Sequence, residues 1–171
     1  MKGYVQVYTG NGKGKTTAAL GLALRAAGAG LRVLIVQFAK KGPYSEHLAL
    51  ERFADLITVR TAGTGAFLKK EPDEVEIRAA RQGFEEARRD TLSGGYDLVI
   101  LDEIHVATHH GLIAVEDLLD LIAARPAGVE LVLTGRHADP RVVEKADLVT
   151  EMREVKHYYE KGVQAREGIE K

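Results

Sequence analysis

Residues 4–17 read Tyr4-Val-Gln-Val-Tyr-Thr-Gly-Asn-Gly-Lys-Gly-Lys-Thr-Thr17. An alternating run, Tyr4 to Tyr8, predicts a strand. Gly10, Asn11, Gly12, Lys13 and Gly14 predict a tight loop, and the Ala- and Leu-rich stretch from Thr16 to Ala27 predicts a helix. Strand, glycine-rich loop and helix in this order are the context of a phosphate-binding loop. Glycines let backbone N–H groups turn inward on an anionic chain, and the helix N-terminus adds its positive end at the same place. Lys15 is then placed to neutralise phosphate oxygens, and the Thr16 hydroxyl to ligate Mg²⁺. The strict pattern wants a glycine six residues before the lysine; Thr9 stands there.

Outward from this loop, strand-like and helix-like segments alternate. Apolar runs at 32–38, 56–61, 97–102 and 129–134 predict buried strands, and 147–152 an edge strand. Helical patterns fall at 46–54, about 73–92, 116–124 and 140–146. Pro72 and Pro140 suit helix starts, and Gly94-Gly95 a helix end. This alternation implies an α/β, P-loop NTPase-like fold: a mostly parallel sheet with helices on both faces. Residues 1–171 read as a single domain, with no repeat or inter-domain linker. Ligands in such folds sit beyond the C-terminal ends of the strands. The loops that matter are then 9–15, 38–46, 62–72, 103–115 and 135–140.

Composition narrows the function classes. The 171 residues are 45% hydrophobic, enough for a sizeable core. A net charge of −1 shows no basic excess, which argues against nucleic acid as the main partner. The chain has no cysteine, so disulfides and thiolate metal sites are excluded, in keeping with a cytoplasmic enzyme. No apolar stretch reaches the length of a membrane span, and the start reads as a strand, not a signal peptide.

Tyr96-Asp-Leu-Val-Ile-Leu-Asp-Glu103 supplies a second nucleotide motif: an apolar strand ending in two acids, the Walker B pattern. A carboxylate there, beside the phosphate loop, holds Mg²⁺ directly or through water. Adjacent strand residues face opposite ways, so Asp102 and Glu103 take different parts. Both are metal candidates, with Thr16.

Further strings specify more. Gly10-Asn-Gly-Lys-Gly-Lys-Thr-Thr-Ala-Ala19, Arg25-Ala-Ala-Gly28, Val36-Gln-Phe38, Asp102-Glu103, Leu133-Thr-Gly-Arg136, Ala146-Asp147, Val155-Lys-His157 and Gly162-Val-Gln-Ala165 through Gly168-Ile run in order along the chain. Together they resemble the ATP:corrinoid adenosyltransferases, nearly end to end. The resemblance implies transfer of the 5′-deoxyadenosyl group of ATP to a cobalt(I) corrinoid, with inorganic triphosphate leaving, in cobalamin biosynthesis or salvage. It implies ATP held in the reverse of the usual P-loop polarity, with Mg²⁺ or Mn²⁺. It also implies a homodimer and a reducing partner such as a flavodoxin or a flavin reductase. By position, Asn11, Gly12, Lys13, Gly14, Lys15, Thr16 and Thr17 match the family's ATP loop, Glu103 an acid near the metal, and Arg136 an arginine at the nucleotide. Many members carry Phe-Thr-Trp where this chain has Ala66-Phe67-Leu68. That leaves open a substrate with no nucleotide-loop base, or a different apolar plug from Phe67 and Leu68. The alternative on the same fold is a small-molecule kinase or other P-loop NTPase, which needs an arginine-rich acceptor site; a nucleotide-switched binding module is the non-enzymatic rival.

Several side chains have competing readings. Phe67 is a candidate corrinoid contact and His157, in the family-like tail, a candidate ligand contact. Lys40 and Lys41 read by default as solvated charge. His105 and His109 are four apart, a metal-binding spacing on a helix. An axial histidine would oppose cobalt(I) chemistry, so they read instead as lining a loop near the ligand or at the surface. Glu85, Glu86, Arg88 and Arg89 read as helix-face ion pairs.

Overall fold

The run Val33-Leu-Ile-Val-Gln37 has no solvent-facing side, and the reason is that both of its faces are covered. Leu34 and Val36 belong to one apolar cluster, Val33 and Ile35 to another, and none is more than 2% exposed. The computed structural model describes residues 2–38, 44–63 and 71–170. Among the described residues the sheet has six strands, β1 (Val5–Thr9), β2 (Val33–Gln37), β3 (Ile57–Thr61), β4 (Leu98–Asp102), β5 (Glu130–Thr134) and β6 (Leu148–Glu151), in the order β3-β2-β4-β5-β1-β6. Every pairing is parallel.

The helices divide between the two faces. Ala19, Ala23, Ala26 and Ala27 of α1 (Lys15–Gly28) and Leu50 of α2 (Ser45–Leu50) close one face over Val33, Ile35, Ile100 and Val132. The other is closed by α3 (Glu74–Leu92), α4 (Ile104–His109), α5 (Val115–Ala124) and α6 (Pro140–Lys145). Small alanines on α1 bring its backbone close to the sheet. Larger side chains, Phe84, Ile104, Leu118 and Leu121, fill the thicker opposite layer.

Local signals act where the sequence places them. Pro140 occupies the first turn of α6, and Gly94 has a φ of 68° just past the end of α3. The cap of α3 is Asp73: its side chain accepts from Glu76 N at 3.0 Å, while Glu76 Oε2 accepts from Asp73 N at 3.0 Å. Such reciprocal bonds satisfy two orphan donors. An expected helix at 46–54 is Ser45–Leu50 followed by a 3₁₀ turn, Glu51–Phe53. β6 is the expected edge strand, exposed along its length.

The acid-bearing strand β4 and the loop strand β1 are separated by β5. One feature differs from expectation. The expected loop at 103–115 begins with a short helix, α4. Its residues Ile104 to Thr108 are all buried. A helix covered on every side has no amphipathic period to reveal it.

Candidate functional site

β1 ends at Thr9, and the loop that follows is braced from outside by the chain leaving β6. Gly12 N donates to Met152 O at 2.7 Å, and Met152 N donates to Thr9 O at 2.8 Å. Gly10 has a φ of 95°, and a Cβ there would meet Met152 O at 2.4 Å. A Cβ on Gly12 would meet the Arg153 carbonyl carbon at 2.8 Å. Two of the three loop glycines are therefore required by the close approach of residues 152–153, quite apart from any phosphate.

Beneath the loop, three elements converge on one carboxylate. Asp102, at the end of β4, is 1% exposed. Its Oδ1 accepts from Thr16 Oγ1 at 2.9 Å and from Thr134 Oγ1 at 2.7 Å. Its Oδ2 accepts from Gln37 Nε2 at 3.0 Å. Charge-assisted bonds of this kind compensate for burying an ionised group. Thr134 stands at the end of β5, the inserted strand, and also accepts from Glu103 N at 3.0 Å. The Thr16 hydroxyl donates its hydrogen bond to Asp102, which fixes the direction of its oxygen at the start of α1.

Glu103 leaves the strand in the left-handed region, φ 59° and ψ 22°. For a non-glycine residue that costs on the order of 1–2 kcal/mol, a strain typical of functional turns. The turn separates the two acids. Asp102 stays under Thr16, while Glu103 lines a cleft of about 810 Å³ together with Lys15, Thr16 and Arg136. Lys15 Nζ donates to the carbonyls of Gly10 and Gly12, both at 2.7 Å. Burial pulls its ammonium below the ordinary lysine range; Glu103 and Asp102 pull back, and Arg136 adds to the lowering.

The cleft has an apolar side and a tail-built rim. Leu20, Gly21 and Leu24 of α1 face Ser45, Glu46 and Ala49 of α2. Gly168, Ile169 and Glu170 close the mouth from the C-terminal tail. Lys13 Nζ donates to Glu170 Oε1 at 2.9 Å, to Ile169 O at 3.0 Å and to Tyr158 Oη at 3.3 Å. Arg166 Nη2 reaches Glu170 Oε1 at 3.1 Å, and Tyr158 Oη donates to the same carboxylate. These cations and the hydroxyl hold the Glu170 carboxyl well below the usual carboxylate range.

Most expected site residues meet here. Gly12 through Thr17 line the cleft with Glu103 and Arg136, while Gly10 and Asn11 stay outside its lining. His157 does not line it either: its Nδ1 accepts from Tyr159 N at 3.0 Å and caps a 3₁₀ turn, Tyr158–Lys161. Phe67, with Ala66 and Leu68, lies outside the described residues, as do Lys40 and Lys41. The reading of His105 as a loop or surface residue is corrected: it is fully buried on α4, and burial pushes it down to about 4, against a smaller opposing pull from the Leu133 backbone. His109 and His110 are exposed, and His109 stacks on His137 with ring centroids 4.3 Å apart. Arg88 lies 3.8 Å from Glu85, as the helix-face spacing predicts. Sequence reasoning assigned no role to Thr134, Gln37 or Glu170. A lone glutamine in a wholly apolar strand was the available signal for Gln37, since a buried amide needs a partner.

An all-parallel sheet flanked by helices, with a glycine-rich loop, a lysine beneath it, a threonine bonded to a strand-end acid and a second acid in the cleft, defines an α/β protein of P-loop NTPase-like fold. The family model described as "ATP:corrinoid adenosyltransferase BtuR/CobO/CobP" matches residues 1–170, and the chain belongs to that family. It is 36% identical over 170 residues to the corrinoid adenosyltransferase of Pseudomonas aeruginosa, spanning 99% of this chain and 84% of that protein. Identity is 35% to the Escherichia coli corrinoid adenosyltransferase and 34% to that of Salmonella typhimurium, each spanning 99% of this chain and 86% of the relative. The chain is thus an enzyme of the adenosyltransferase type, and the kinase alternative is not favoured.

Proposed function

We propose that ATP binds in the cleft with its triphosphate on residues 10–17, and that a cobalt(I) corrinoid takes its 5′-deoxyadenosyl group. The observation that carries this reading is the convergence of Lys15, Glu103 and Arg136 on the cleft above the Thr16–Asp102 bond. In the transfer, the Co–C bond forms with an electron pair from cobalt. The C5′–O bond breaks, and its pair leaves with inorganic triphosphate. No proton moves, so no general base is required. What the protein supplies is alignment of the reacting atoms and charge stabilisation of the leaving triphosphate by Lys15, Arg136 and loop amides.

The donor set fits a divalent ion that shares its ligands with phosphate. Among the described residues there is no group of three or more His, Asp or Glu side chains that could hold a metal ion. Mg²⁺ usually takes one or two protein oxygens and completes its shell with phosphate and water, and Mn²⁺ favours similar oxygen ligands. Thr16 and Glu103 would be those protein ligands, with Asp102 orienting Thr16 from below. When bound, the ion neutralises triphosphate charge.

The reading extends to the assembly. Leu148 and Val149 on the open edge strand are 45% and 44% exposed, which supports a homodimer. Cobalt(I) needs a reductant, and a flavodoxin or a flavin reductase is the proposed partner. Among the described residues no helix is long and apolar enough to cross a membrane, in keeping with a cytoplasmic setting. Residues 1–171 are read as one domain, since both core clusters share one sheet. Phe67 and His157 stay in the proposal as corrinoid and ligand contacts on family resemblance alone.

An anaerobic assay with MgATP and reduced cobalamin or cobinamide tests this. A photolabile Co–C product with one triphosphate per turnover is expected. Release of ADP or monophosphate without a Co–C product would overturn it.

A further inference from the structure

The carboxylate that orients Thr16 is itself held by a chain of bonds reaching α2. Asp102 Oδ2 accepts from Gln37 Nε2 at 3.0 Å. The other end of that amide, Gln37 Oε1, is bonded to His47 Nε2. His47 Nδ1 accepts from Tyr44 N at 3.3 Å. That last bond sets the tautomer: with Nδ1 accepting, Nε2 carries the proton and donates to Gln37 Oε1. Donating to its oxygen fixes the Gln37 amide with its NH₂ toward Asp102. A flipped amide would turn its oxygen on the carboxylate.

We propose that His47, acting through Gln37, is a positioning residue that holds Asp102, and so Thr16, in the geometry that binds the nucleotide's metal ion. The proposal rests on the nucleotide–metal reading above. Its basis is the unbroken path Tyr44–His47–Gln37–Asp102–Thr16, which crosses from α2 through β2 and β4 to α1. Outer bonds of this kind set ligand orientation, and their loss typically lowers metal affinity. The same helix lines the cleft through Ser45, Glu46 and Ala49. A ligand seated against α2 is thereby linked to the metal end of the site.

The test reads metal binding by the whole protein, with corrinoid absent. Free Mn²⁺ is titrated by electron paramagnetic resonance against protein saturated with ATP. In His47→Leu the Mn²⁺ dissociation constant should rise about tenfold, while ATP affinity without metal stays within twofold. In His47→Gln an amide nitrogen replaces Nε2–H and should return Mn²⁺ binding to within about twofold of the parent. His47→Asn is too short to reach Gln37 and should behave like His47→Leu; if the leucine variant melts early, the Gln and Asn pair decides the matter. Unchanged Mn²⁺ affinity in His47→Leu, or equal affinity in His47→Gln and His47→Asn, would overturn the proposal alone. Failure of the unaltered protein to bind Mn²⁺ with ATP would overturn the nucleotide–metal reading and this proposal with it.

Discussion

Thr134 Oγ1 donates to Asp102 Oδ1 at 2.7 Å and accepts from Glu103 N at 3.0 Å, so one hydroxyl on β5 ties down both acids of the Walker B pair. Thr134→Val keeps the shape and removes both bonds. It leaves a buried carboxylate short of a donor and the Glu103 amide without this partner, at a cost of about 2 kcal/mol. A drop in the chemical denaturation midpoint and roughly tenfold slower adenosylation are expected. Thr134→Ser should stay near the parent; if the valine variant matches it too, the tie has no role.

Lys15 is the cation placed under the loop. Lys15→Ala removes charge stabilisation from the leaving triphosphate and should lower kcat by about 10²–10³. Its bonds are to loop carbonyls, so the fold should persist, as circular dichroism and thermal melting would show. Full turnover in this variant would displace the nucleotide site from the cleft.

Glu170 engages Lys13 at the cleft mouth. Glu170→Gln removes a negative charge beside the proposed triphosphate path and loosens Lys13. The KM for ATP should fall about threefold, with kcat within about twofold and the melting temperature little changed, because exposed ion pairs contribute little to stability. Steady-state kinetics at fixed corrinoid checks this. An unchanged KM would mean that Tyr158 and the Ile169 carbonyl alone keep Lys13 in place.

His105 gives the fold an acid sensitivity. Its pKa is pushed down to about 4 by burial, against about 6.5 in an unfolded chain. Above pH 6.5 both states are neutral and no penalty exists. Between 6.5 and 4 the unfolded chain takes up a proton that the folded chain refuses, so stability falls with pH by about 3 kcal/mol in all. His105→Asn should flatten that part of the urea-midpoint profile relative to the parent. Parallel profiles for the two proteins would show that His105 is not the group responsible.

Much of this architecture follows from local pattern. The apolar runs at 33–37 and 98–102 announce strands covered on both faces, and residues 4–27 announce a phosphate loop through their order of strand, glycine-rich loop and helix. Pro140 and Gly94 mark helix ends through their own backbone restrictions. These signals were readable because each depends on neighbours a few positions away. The α4 helix was not, because its first five residues are all buried and carry no period.

What required the folded chain is the company each side chain keeps. Asp102 draws its donors from residues 16, 37 and 134, which meet only because β5 is inserted between β1 and β4 while β2 pairs with β4 on the other side. Gly10 and Gly12 are spaced for a phosphate loop, yet the contact that forbids a Cβ comes from residues 152 and 153. Lys13 belongs to the loop by sequence and to the Glu170 cluster by contact. Residue order along the chain therefore specifies the elements and the chemistry they carry. Strand order, which is set by burying both faces of one sheet, selects the partners that orient that chemistry.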